Sequence, residues 1–138
     1  MKLAFLFCIT TILFASCASS KKTQAETMPL YNTKWLLKKI YTGDNIENVQ
    51  TKAFIRFDKE KSSAGGNGSC NSFGSATSVS GNDLNFKNVF STKMYCEEVQ
   101  KTENSFLGGL EKVNRFEIKS NTLLLYHDKE MLLEFLAE

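Results

Sequence analysis

The sequence predicts an α+β domain, a curved antiparallel sheet of about seven or eight short strands with one main helix packed on it. Three observations carry this expectation. Segments that alternate apolar and polar residues recur along the chain, short polar turns join them, and one stretch alone repeats its apolar residues at spacings of three and four. Strands joined by such short turns must run antiparallel, and a lone helix with an apolar stripe needs a sheet face to cover. At 138 residues the chain is long enough for a single modest core. Eleven Phe against one Trp predict that aromatic rings supply much of the buried area.

The elements follow in order from about residue 32. Trp35 to Tyr41 is apolar at both ends, and Thr42-Gly43-Asp44-Asn45 supplies a turn. Ala53 to Asp58 alternates, with Ile55 and Phe57 on one face and Phe54 and Asp58 on the other. The polar run Asp58 to Ser63 connects it to a glycine-rich stretch, Gly65 to Gly74, read as a structural corner. Gly74 to Ser80 and Leu84 to Val89 flank Ser80-Gly81-Asn82-Asp83, a strong hairpin signal, with Leu84, Phe86 and Asn88 on one face. Phe90 to Cys96 lacks a period and is expected to cross the end of the sheet. Val99, Glu103, Phe106, Leu110 and Val113 form the helical stripe, with Glu97 and Glu98 at its start, Lys112 at its end, and Gly108-Gly109 reserved for close packing. Arg115 to Lys119, Thr122 to His127 and Met131 to Leu136 complete the sheet.

Ahead of this body lies a leader. Met1-Lys2 followed by apolar Leu3 to Phe14 has the n-region and short h-region of a secretory signal, and Ala15-Ser16-Cys17 resembles the bacterial lipoprotein box. The expected organisation is a lipoprotein signal peptide at 1–16, a lipidated Cys17 with a flexible tether over 17–30, and a folded domain over 31–138. A tether of that length reaches about 20 Å as a coil, so the domain would sit just off a membrane held by its N-terminal lipid. The expected place is the cell envelope, lipid-anchored at the outer membrane.

Charge narrows the partners. The 17 basic and 15 acidic residues give +2 and are scattered, without the basic stripe that a phosphate backbone requires, so nucleic acid is excluded. Of four cysteines, Cys70 and Cys96 belong to the folded body. In an oxidising envelope two such thiols are commonly joined, and the alternative is a pair of buried free thiols. The glycine-rich stretch lacks the Gly-Lys-Ser/Thr of a phosphate loop and carries Asn71 where a dinucleotide fingerprint needs glycine. His127, the single histidine, reads as a surface turn residue, and Cys70, Cys96 and His127 lack metal-ligand spacing. No catalytic residue, metal or cofactor is expected. The sheet edges and the loop from Asn67 to Ser72 are left as protein-contact surfaces.

Several segments together resemble the META domain family, whose bacterial members include HslJ-like lipoproteins. They are Trp35-Leu36-Leu37, then Gly68-Ser69-Cys70-Asn71-Ser72-Phe73-Gly74, then Ser91-Thr92-Lys93-Met94-Tyr95-Cys96, the helix with Phe106-Leu107-Gly108-Gly109-Leu110, and the closing Leu123-Leu124-Leu125 and Leu133-Glu134-Phe135. The family motif falls on Asn71, Phe73, Gly74, Thr92 and Met94. Ser72 stands where a basic residue is common. The resemblance implies a small α+β domain with a curved antiparallel sheet, an envelope location and an association with stress tolerance. The expected function is a non-enzymatic, monomeric, membrane-anchored domain with a binding or envelope-integrity role and an envelope protein as its partner. The other expectation is an inhibitor of an envelope-acting hydrolase such as a lysozyme or a protease.

Overall fold

A computed structural model describes residues 26–138; the expected signal peptide, Cys17 and most of the expected tether lie outside them. Nine strands and one helix follow in the order β1 (Trp35–Thr42), β2 (Asn45–Asn48), β3 (Phe54–Asp58), β4 (Ser63–Asn67), β5 (Ser72–Ser80), β6 (Asp83–Ser91), α1 (Gln100–Leu110), β7 (Arg115–Lys119), β8 (Thr122–His127) and β9 (Glu130–Ala137). All strand neighbours are antiparallel, as the short turns require.

The sheet does more than curve. β1 pairs with β9 from Trp35↔Ala137 to Ile40↔Leu133, which closes the meander into a barrel-like ring. β2 continues the edge of β1 beyond β3, because β3 meets β1 only at Trp35 and Leu36. The ring is thinnest between β6 and β7, where Asp83↔Arg115 is the one register pair, flanked by the Leu84 N–H on the Asn114 carbonyl and the Phe116 N–H on the Asn82 carbonyl. α1 packs against β1, β6 and β9 and places Phe106 and Leu110 in the interior. Trp35, Leu37, Ile55, Leu84, Phe106, Leu123, Leu125, Leu133 and Phe135 make the buried centre. Phe106 meets Phe73 edge-on at 5.4 Å and Phe135 at 5.8 Å, an arrangement favoured by ring quadrupoles.

Antiparallel alternation gives the ring two ends. At one lie the turns after β3, β5 and β7 together with the incoming chain, whose Met28 N–H donates to the Ser120 carbonyl at 2.8 Å. Leu30 is buried there and its carbonyl accepts the Trp35 Nε1–H at 3.0 Å. The packed body therefore begins ahead of residue 31, and the last tether residues are part of the fold. At the other end lie the 68–71 corner, the 92–99 crossing and the N-terminus of α1.

Other expectations are corrected by local geometry. β2 begins at Asn45, the last residue of the expected turn, and runs through Ile46 to Asn48, where the sequence predicts no element; β4 is a strand within the glycine-rich stretch, so the corner shrinks to 68–71. α1 starts at Gln100, which leaves Glu97 and Glu98 in the preceding turn and Lys112 beyond the last. Asn88 has φ +54 at a bulge opposite Ser75 and is exposed, leaving the core face of Leu84 and Phe86. Phe90 is 69% exposed, although a Phe is ordinarily packed inside. Of the two helix glycines only Gly109 faces a neighbour, Leu133.

Candidate functional site

The corner at 68–71 is organised by Asn71, which is 2% exposed. Its Oδ1 accepts the Thr92 hydroxyl and the Met94 N–H, each at 2.8 Å. Its Nδ2 donates to the Met94 carbonyl at 2.9 Å and to Glu103 Oε1 at 2.5 Å. Two acceptor positions and two donor hydrogens exhaust an amide side chain, so Asn71 is fully satisfied. The spacing of the motif now has a cause: the corner must reach the segment after β6 through one amide. Thr92 contributes its hydroxyl and Met94 its backbone, while the Met94 side chain points out and is 60% exposed.

Glu103 completes the node from α1 and is also 2% exposed. Its Oε2 accepts the Asn71 N–H at 2.6 Å and the Cys70 N–H at 2.9 Å. Burial pushes this carboxyl up, but hydrogen bonds from the Asn71 side chain and from the Asn71 and Cys70 backbone outweigh burial and hold it below the ordinary carboxylate value. The anion is thus the stable form. A Cβ on Gly68 would lie 2.7 Å from Glu103 Oε2, so the absent side chain is what admits the carboxylate. The glycine-rich corner does cradle an anion, and that anion belongs to the chain itself.

The remaining motif residues frame the node. Phe73 is buried against Phe106. Gly74 lies beneath the Phe90 ring, where a Cβ would fall 2.6 Å from Cζ. Cys70 and Cys96 form a disulfide with Cα atoms 6.0 Å apart, tying the corner to the turn before α1. The structure brings Cys70, Asn71, Thr92, Met94 and Cys96 together as one unit, with Phe73 and Gly74 beside it.

Sequence reasoning missed Glu103 as a member. The available signal was its place in the apolar stripe of the helix, where an acidic residue needs buried donors. The loop from Asn67 to Ser72 holds the buried Asn71, with Ser72 exposed. His127 is exposed at the end of β8, its Nδ1 2.8 Å from the Lys112 carbonyl. Among the described residues no buried side-chain nitrogen or oxygen lacks a partner. The chemistry of the node is that of a lock: both thiols are bonded, and the carboxylate is occupied by three N–H groups.

Beside the node runs an open groove of about 410 Å³ between residues 91–95 and the Gln100, Asn104 and Leu107 flank of α1. At the opposite end, a wider groove of about 750 Å³ is lined by Tyr31, Lys34, Arg56, Lys59, Glu60 and Glu138. Its charges are largely answered locally, since Lys34 pairs with Glu138 and both Lys34 and Arg56 flank the Phe54 ring. No described helix is long and apolar enough to cross a membrane.

Comparisons with known proteins agree with this architecture. An NMR structure of a protein from Burkholderia xenovorans superposes with a TM-score of 0.67 at 19% identity, over 79% of this chain and 83% of that one. A DUF4847 family protein from Bacteroides vulgatus superposes with a TM-score of 0.58 at 16% identity, over 78% and 93%. A second NMR structure gives 0.54 at 22% identity, over 75% and 88%. No curated protein matches the sequence. The META domain profile matches residues 28–138, nearly all of the described chain, and with the motif residues joined in one node the chain belongs to the META domain family.

Proposed function

We propose that this protein is a membrane-anchored, HslJ-like META-domain lipoprotein of the bacterial cell envelope, held at the outer membrane by lipid on Cys17, and that it acts by binding an envelope protein and not by catalysis. The observation that carries the reading is the polarity of the barrel. The chain enters at one end, where Met28 bonds to Ser120, and the disulfide-braced node lies at the other with Phe90, Met94 and Tyr95 exposed beside it. A domain tethered at its entry end would present the braced end away from the membrane. Support for a binding role comes from the residues otherwise suited to chemistry: Cys70 and Cys96 are bonded to each other, and Glu103 is buried and saturated.

Intact-mass analysis of the protein from membranes tests the anchor. A diacylglyceryl group on an N-terminal Cys17 is expected, and loss of membrane association in Cys17→Ser. An unmodified N-terminus elsewhere would remove the anchor. Crosslinked pull-down from the intact envelope tests the binding role, with a specific, saturable protein adduct expected and none contradicting it. Inhibition of an envelope-acting hydrolase is a second reading, favoured by the segment 92–96, held by Cys96 with Met94 and Tyr95 outward. Direct titration against lysozymes and proteases decides it.

A further inference from the structure

Among the described residues, three of the five exposed large apolar side chains lie within six residues of one another: Phe90 at 69%, Met94 at 60% and Tyr95 at 76% exposed. Met94 and Tyr95 line the groove beside α1, just after β6, and Phe90 lies near the end of β6 itself, its ring over Gly74. β6 pairs with β5 along its length, but its other edge is used only near its start, by Asp83 opposite Arg115 and by the Leu84 N–H on the Asn114 carbonyl. From Asn85 to Ser91 that edge has no strand partner among the described residues. An unpaired strand edge offers alternating N–H and C=O groups, which only an extended backbone matches in register. Apolar side chains at the end of such an edge add pockets for alternate side chains of the incoming strand.

Charge decides among occupants. Between Asn85 and Tyr95 the only charged residues are Lys87 and Lys93, both basic. A second copy pairing symmetrically along that edge, centred on Asn88, would bring Lys87 diagonally close to its own equivalent, and like charges brought together are destabilising. An acidic partner would instead be attracted to both.

We propose that the free edge of β6, together with Phe90, Met94, Tyr95 and the flank of α1, is the docking surface for an extended segment of another protein that alternates acidic and apolar residues. This deepens the binding role proposed above and rests on it. The segment lies along β6 beyond Asn85, its acidic residues meeting Lys87 and Lys93 and its apolar residues covering Phe90 and Tyr95.

The test uses the full chain in detergent and two labelled seven-residue peptides, one alternating glutamate with valine and phenylalanine, the other with lysine at each glutamate. Fluorescence anisotropy should show saturable binding of the glutamate peptide, and affinity for the lysine peptide weaker by about tenfold or more. The double variant Lys87→Glu/Lys93→Glu should reverse the preference, and Tyr95→Ala should weaken both peptides. All three positions are exposed, and an unchanged thermal melt confirms that the variants fold. Equal binding of the two peptides, no saturable binding, or a preference untouched by the charge reversal would overturn the proposal. Concentration-dependent dimerisation abolished by the same variants would overturn it in favour of a second copy. Envelope capture of a partner that persists in the double variant, with Cys17 still lipidated, would retain the binding role and remove this surface.

Discussion

Gly68 and Glu103 illustrate how one atom's absence sets a site. The carboxylate occupies the space that a Cβ on residue 68 would take, and it is pinned by two backbone N–H groups and the Asn71 amide. Because the side chain cannot swing away without giving up those bonds, Gly68→Ala should destabilise by about 1 to 3 kcal/mol. Urea denaturation checks this, and an unchanged midpoint would show that the corner yields. At this scale the sequence was partly legible. Asn71, Thr92 and Met94 stood out by resemblance, but nothing in their order says that a single amide bonds both Thr92 and Met94. Glu103 was hidden because a helical stripe is read for apolar residues, and an acid within it is informative only once its donors are known.

Among the elements, the hairpins were the most legible. Ser80 to Asp83 predicted the β5–β6 turn, and Gly81 adopts the positive φ of +57 that such a turn uses. β2 and β4 were not legible, for different reasons. β2 is an exposed four-residue edge strand, Asn45-Ile46-Glu47-Asn48, with no core-facing alternation to detect. β4 contains Gly65 and Gly66, and a Cβ on Gly66 would collide with the Phe54 carbonyl oxygen, so close backbone approach replaces the usual strand signature. The crossing from β6 to α1 is held by the disulfide, which closes a loop with a sequence separation of 26. On the loop-entropy model reduction should therefore cost about 3 to 4 kcal/mol. A thermal melt with and without reductant should shift downward by roughly 10 to 15 °C, and coincident curves would mean that the node holds without the bond. In protein isolated without reductant, thiol counting under denaturing conditions should find neither Cys70 nor Cys96 free.

At the scale of the molecule, closure was the feature beyond reach of local pattern. Short turns dictated a meander, yet the β1–β9 seam joins the two ends of the folded body, and its register follows from packing across the ring. Trp35, Leu37, Ile40, Leu133 and Phe135 face inward along that seam. On its outer side Glu134 accepts the Tyr41 hydroxyl and pairs with Lys39, each at 2.9 Å. Phe135 is fully buried and packs against Phe106, so Phe135→Ala should cost about 3 to 5 kcal/mol and weaken seam and helix together. Hydrogen exchange should show protection lost in β1 and α1 alike. Loss confined to β9 would mean that the ring is not cooperative. Closure also gives the molecule its two ends, on which the proposed tethering at the entry end rests.

The motif's central role, as a lock around the chain's own carboxylate, is open to a direct measurement: the stability difference between the natural protein and Glu103→Gln as a function of pH. The folded state holds the Glu103 carboxyl below its ordinary value, so its contribution is fully present above the unfolded carboxyl's pKa of about 4.3 and is lost as pH falls through the lower folded value. Glutamine turns an NH₂ toward N–H donors that need an acceptor, so the variant should be about 2 to 4 kcal/mol less stable at pH 7. That difference should shrink steadily below about pH 4 as the natural carboxyl is protonated. Equal stability at pH 7, or a difference that does not change with acidification, would contradict the lock.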